Sequence, residues 1–331
     1  MSMLHYVTNE VSDDLLRALR NAIENSIHNG KDEPSIVAQL TYEIPKAVNR
    51  LRLNVGGYNL TAGGVFIHQT PKVSFSGIIK QKSIELGDVL FVSTITDGID
   101  ESKMALLYQA KMFESFPVEP DNNNQHKLYE KWPKFEYVRS GIALNGEKRK
   151  IRGSDLHSAT KYLLIRKSNS RLKLPYYLAH WLSDETLAIT AQPTYPLSNH
   201  ECFIKEIFHF LLGDAGKEFV NAACNEIGWN RVVNDLLNET AKKLTSYMRK
   251  ASTNSKPAIA PRGFGCLHYG HSLSIQSDIL VSNEVYLSDD DNFPPKDIPP
   301  KSENNNEEDG GGISVIEFVW RLDERLKALN K

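Results

Sequence analysis

Cysteine is scarce in this chain. Cys202, Cys224 and Cys266 are far apart, odd in number and form no CxxC pair, which argues against a disulfide framework or a cysteine zinc knuckle. Long apolar runs are also missing. No stretch approaches the ~18 residues that mark a membrane span, and Met1 opens no basic-then-apolar leader, so the expected setting is the cytoplasm with no membrane contact. A serine-nucleophile elbow and a Walker loop are absent too. Gly56-Gly57 and Gly63-Gly64 lack the lysine and spacing of a phosphate loop. If the chemistry is coupled to nucleotide hydrolysis, another protein must supply it.

What is present is ordinary for a globular protein: 331 residues, 40% hydrophobic and 24% charged, with a net charge of −2. That length allows one large domain or two. The charge is unevenly spread. Ser288–Gly312 holds eight acidic residues and two lysines, and its Pro, Asn and Gly content reads as a disordered acidic loop. Lys148–Lys173 holds nine Lys or Arg against the single acid Asp155. Such a cluster reads equally well as a set of phosphate contacts or as a solvated basic surface.

Periodicity predicts an amphipathic helix over Ser12–His28, with Leu15, Leu16, Leu19, Ile23 and Ile27 near helical spacing. A second helix starts near Lys31-Asp-Glu-Pro34, carries Ile36, Val37, Leu40 and Ile44 on one stripe, and should end or kink at Pro45. Glu33 falls on that same stripe. Gly56–Gly64 reads as a turn-rich connection. Strands are expected at Val65–Gln69 and Lys72–Phe75, then at Val89–Thr94 and Met104–Phe113 around a hairpin connection. A short helix at Gln125–Trp132 and a buried strand at Lys161–Ile165 follow. Beyond about residue 175, helical spacing at Cys202–Leu212 and Asn230–Lys250 dominates, and Ile313–Val319 reads as a strand returning after the acidic tract. The expectation is an α/β fold: a core over 1–174 with a mixed central sheet flanked by helices, and a helix-rich C-terminal half over 175–331.

The chemistry centres on Gln109-Ala-Lys111. Alternate strand residues share a face, so Gln109 and Lys111 point together. Asp88, at the head of the preceding strand, could meet them at one point. Phosphodiester hydrolysis needs an activated water and neutralisation of a dianionic transition state, which a carboxylate-held divalent ion and a lysine can provide. A Gln contributes a carbonyl oxygen but no charge, so a second carboxylate is wanted. Glu33 is the first choice, then Glu43, with Glu85 beside Asp88 as a further option. His68 reads first as a hydrogen-bonded core histidine, and Cys266, His268 and His271 lack a fourth zinc ligand. Trp132–Tyr137 and Tyr176-Tyr177 read as core aromatics ahead of base-stacking ones.

From Glu33 to Ile165, these residues resemble the Q-x-K branch of the PD-(D/E)xK nuclease superfamily, the restriction-endonuclease-like fold. The run Glu85-Leu-Gly-Asp-Val-Leu-Phe-Val followed by Ala-Leu-Leu-Tyr-Gln-Ala-Lys is similar to bacterial proteins of that kind found near defence systems. The resemblance implies that Asp88 and Gln109 bind Mg²⁺ or Mn²⁺ and that Lys111 positions water and stabilises charge; Glu33 stands beside them as the candidate second carboxylate for the metal on the chemical argument above. The substrate expected is nucleic acid, DNA ahead of RNA, within anti-phage defence or restriction. A companion sensor or NTPase and a homo-oligomer are compatible with it. The alternative is a non-catalytic subunit using the same fold to bind nucleic acid or a partner.

Overall fold

The structure is a computed structural model describing residues 2–67, 71–78, 83–120, 122–139, 144–151, 156–167, 186–220, 228–253, 264–267 and 312–323. His68, Tyr176, Tyr177, His268, His271 and the acidic tract up to 311 lie outside the described residues.

Two antiparallel helices open the chain, α1 (Asn9–Asn29) and α2 (Glu33–Leu51). Thr8 caps α1, and Asp32 with Ser35 forms a reciprocal capping box on α2, so the orphan N–H groups of the first turn are satisfied. Pro45 does not end α2; the helix continues to Leu51. Proline leaves the carbonyl four residues back without its helical donor, and that carbonyl, Thr41, packs against Gly64. A Cβ at Gly64 would lie 1.8 Å from the Thr41 oxygen.

The glycine-rich connection divides accordingly. After β1 (Asn54–Val55), Gly56 and Gly57 turn the chain with φ of +58° and +83°. Gly63 and Gly64 instead lie inside β2 (Tyr58–Ile67), where the absence of a side chain lets helix and strand backbones approach. β3 (Lys72–Phe75) and β4 (Ile84–Glu85) follow, then the hairpin β5 (Val89–Thr96) and β6 (Glu101–Phe113). The next elements are α3 (Asn123–Lys131), β7 (Phe135–Arg139), β8 (Lys148–Arg149), α4 (Leu156–Ala159) and β9 (Thr160–Arg166). Further on come β10 (Ala188–Gln192), β11 (Ser198–Cys202), α5 (Phe203–Leu211), β12 (Lys217–Glu218), α6 (Trp229–Thr253), β13 (Phe264–Leu267) and β14 (Ser314–Leu322).

The main sheet has the order β1-β2-β14-β5-β6-β9-β10-β11, with β12 on β6 and β13 on β2. It is mixed: β14 runs parallel to β5 and β9 parallel to β6, whereas β5 and β6 are antiparallel. Strands from both halves of the chain share this sheet, and β14 occupies its middle. A second sheet, β4-β3-β7-β8, stacks on one side.

Strand alternation sorts side chains into two cores. Leu90, Val92, Ala105 and Leu107 face a core shared with the small sheet, α3 and α6. Val89, Phe91, Leu106 and Tyr108 face the other, shared with α1, α2 and α5. The molecule is therefore α/β, a mixed central sheet with helices on both faces. By parity, Gln109 and Lys111 belong to the small-sheet side.

Candidate active site

β6 is longer than its partner β5, and the site lies where β5 stops. The ladder ends at Val89 opposite Tyr108, and the Asp88 N–H donates to the Tyr108 carbonyl at 2.9 Å. Beyond that point β6 continues with β9 on its far edge only, leaving backbone N–H groups on the near edge without a strand to accept them. Two carboxylates take the place of that strand. Ala110 N–H donates to Asp88 Oδ2 at 2.7 Å, and Met112 N–H donates to Glu33 Oε1 at 2.8 Å. Glu33 reaches this edge from the first turn of α2, and its Oε2 lies 3.5 Å from the Lys111 ammonium.

The four residues singled out by sequence thus gather along one short stretch of strand. Gln109 is buried, with 2% of its surface exposed, and its amide nitrogen donates to Asp88 Oδ2. Its amide oxygen accepts from Gln125 Nε2 on α3, and Gln125 is itself buried. Asn122 caps the start of α3 by accepting from Asn124 and Gln125 at 3.0 and 3.2 Å, which fixes where Gln125 sits. One turn on, Tyr129 donates its hydroxyl to the Leu86 carbonyl at 3.0 Å. Helical i, i+4 spacing puts Gln125 and Tyr129 on one face. That spacing was visible in the sequence, but nothing in the sequence alone paired it with Gln109. Between Leu86 and Asp88, a Cβ on Gly87 would meet Leu107 Cδ1 at 2.6 Å and the Tyr129 hydroxyl at 2.8 Å. Glycine is what lets this segment pass beneath α3.

Asp88 is strongly perturbed. Burial, followed by the neighbouring Glu85 carboxylate, pushes its pKa up to about 8, with Lys111 and the Ala110 N–H acting in the opposite direction and Glu33 adding to the rise. Buried carboxylates prefer the neutral form until a cation compensates them. Glu85 acts on Asp88 more strongly than Glu33 does.

These positions test the fit of a divalent ion. Ala110 and Met112 are two residues apart on a strand, so the oxygens they bind are about 7 Å apart. Oxygen ligands of one Mg²⁺ at ~2.1 Å lie no more than about 4.2 Å from each other. Asp88 Oδ2 and Glu33 Oε1 therefore do not share one ion directly. Glu85 is the carboxylate whose charge acts most on Asp88, and the Gln109 amide oxygen is taken by Gln125 in this arrangement. Glu43 is excluded: it lies ten residues along α2 from Glu33, about 15 Å, and pairs with Lys46 at 3.6 Å. Among the described residues, no group of three or more His, Cys, Asp or Glu side chains gathers as a metal cluster.

Other groups weighed for binding in the sequence have structural roles, the core aromatics as expected. Arg149 pairs with Asp235 of α6 at 2.6 Å, and Lys161 pairs with Glu201 at 3.2 Å and with buried Glu206, so part of the basic segment ties the layers together. Trp132, Phe135 and Tyr137 are core residues. No helix among the described residues is long and apolar enough to cross a membrane. Comparison with family models, curated proteins and solved structures finds no match to this chain.

Proposed function

We propose that this protein is a metal-dependent phosphodiesterase with a restriction-endonuclease-like core, acting on nucleic acid and on DNA in particular. The observation that carries the reading is the convergence of Asp88, Gln109, Lys111 and Glu33 on the edge of β6 beyond the end of β5. Asp88 and Glu85 are the residues that would hold a Mg²⁺ or Mn²⁺ ion, and the Gln109 carbonyl would complete the set. Such an ion supplies Lewis-acid polarisation of a phosphoryl oxygen and lowers the pKa of a bound water. Lys111 contributes the positive charge that a dianionic transition state requires. Its ammonium is only partly buried and remains accessible to a phosphate from the solvent side. Glu33 orients Lys111 rather than binding the ion directly, since its Oε1 is committed to Met112 and its Oε2 to Lys111.

Plasmid DNA incubated with protein and Mg²⁺ or Mn²⁺ should be cleaved. Asp88→Asn and Lys111→Ala should each lower the rate at least ~100-fold, on the scale of losing a charge-stabilising group, with far-UV circular dichroism unchanged.

A non-catalytic reading is favoured by one observation: Gln109 turns its amide nitrogen, not its oxygen, toward Asp88. In that reading the carboxylates only cap the strand edge. Intact DNA and RNA after incubation with either metal, and substitutions that leave the biological effect unchanged, would decide for it.

A further inference from the structure

The small sheet has two unlike faces. Val73, Phe75, Ile84, Phe135 and Tyr137 look inward to the core. Alternation turns Lys72, Ser74, Glu85, Glu136 and Lys148 to the other face, and the register sets them side by side. Lys72 stands opposite Glu85, Ser74 opposite Glu136, and Glu136 opposite Lys148. A cleft of about 380 Å³ opens there, lined by Ser74, Ser76, Lys134, Val138 and Lys148 among others. Lys148 is exposed and Glu136 half-buried, their charged groups 3.6 Å apart, and 41% of Val138 is exposed. Lys134 has no ion-pair partner among the described residues.

Glu85, on the edge strand of this face, links it to the candidate site. Glu85 belongs to both: it pairs with Lys72 across the strands and acts electrostatically on Asp88. From β4 to β8 the sheet steps through three interstrand spacings, about 14 Å. One strand of duplex DNA carries a phosphate about every 3.4 Å of axis, so the face spans roughly four of them. Helix α1, on the opposite side of the central sheet, carries more acid than base on its exposed positions. α1 exposes Glu10, Asp13 and Asp14 against Arg17 and Arg20, and Arg17 is paired with Asp14 at 3.5 Å.

We propose that the outer face of the small sheet is the track along which the phosphate backbone of a nucleic acid reaches Asp88 and Lys111. Lys72, Lys134 and Lys148 neutralise phosphates, and the hydroxyls of Ser74 and Ser76 donate to them. A phosphate replaces Glu136 as the partner of Lys148, and Val138 contacts sugar. Such interactions position the strand without reading its sequence. The inference rests on the nuclease reading for the identity of the site it leads to, but its test does not depend on cleavage.

The test is fluorescence anisotropy of a labelled 20-base-pair DNA duplex in EDTA, where nothing is cut. The Lys72→Glu/Lys134→Glu/Lys148→Glu protein should bind at least tenfold more weakly than wild type. Its log affinity against log salt should be shallower by about 3, roughly one unit for each phosphate no longer neutralised. Arg17→Glu/Arg20→Glu/Lys46→Glu, with the same number of reversed charges on the helical layer, should stay within twofold. Equal weakening in both proteins, no weakening in the first, or no binding by wild type overturns the track. If the triple reversal does not fold, Lys134→Glu/Lys148→Glu, with both changes on exposed side chains, is judged by the same tenfold criterion. Hydrolysis of bis(p-nitrophenyl) phosphate with Mn²⁺, compared between wild type and Asp88→Asn, tests the chemical site by itself. A protein that binds DNA through this face yet hydrolyses nothing keeps the track and loses the nuclease.

Discussion

Asp88 performs two tasks that pull against each other. Its Oδ2 substitutes for a strand carbonyl by accepting from Ala110, while burial and Glu85 hold its pKa up at about 8. The unfolded chain releases this proton near the ordinary aspartate value, but the folded protein keeps it to about pH 8. Between those values the native state binds more protons, so stability falls as pH rises through this window, by up to about 1.4 kcal/mol per unit. Asp88→Asn cannot ionise and should flatten this slope, raising the thermal midpoint more at pH 8 than at pH 5. Equal shifts at both pH values would show that the site does not hold a neutral acid. Sequence placed Asp88, Gln109, Lys111 and Glu33 as one group, and period-2 alternation was sufficient for the Gln–Lys pair. It could not choose the second carboxylate among Glu33, Glu43 and Glu85, because that depends on where β5 stops and which side chain faces which edge of β6.

At the scale of elements, α2 and β2 show how a local signal is overruled by packing. Pro45 and the paired glycines suggest a break and a loop when taken alone. Together they form a close helix–strand contact, with the Thr41 carbonyl against the bare Gly64 backbone. Gly64→Ala would drive a Cβ into backbone that cannot step aside, at a cost of about 3 kcal/mol. Gly77 is the control: it has φ +94° and nothing within 4 Å, so Gly77→Ala should cost only about 1 kcal/mol of backbone strain. Urea denaturation of both proteins checks the contrast, and a Gly64→Ala midpoint no lower than that of Gly77→Ala would refute the close contact. The other long elements were readable because each carries a clean period. The hairpin β5–β6 and helices α1, α3, α5 and α6 lie within a few residues of where the sequence puts them.

For the whole molecule, the decisive feature is β14. It enters from the far end of the chain and lies between β2 and β5, burying Val315, Ile316, Phe318, Val319 and Trp320. The Trp320 indole donates to the Leu211 carbonyl at 2.9 Å, which ties the sheet to α5. A chain ending at residue 311 would leave two long strand edges bare in the middle of the sheet. It should lose its cooperative thermal transition in circular dichroism. If residues 1–311 melt cooperatively within a few degrees of the full chain, β14 is not the keystone this topology makes it.

The residues of the candidate site, the helices that carry their period, and the hairpin that pairs Asp88 with Gln109 are all legible in the amino-acid order, because each depends on contacts between near neighbours. Three further outcomes arise only on folding: β14 completes the central sheet, β6 outruns β5, and Gln125 and Glu33 reach the bare edge from two different helices. They depend on strand order and on ends meeting across tens to hundreds of residues, and no local spacing encodes them.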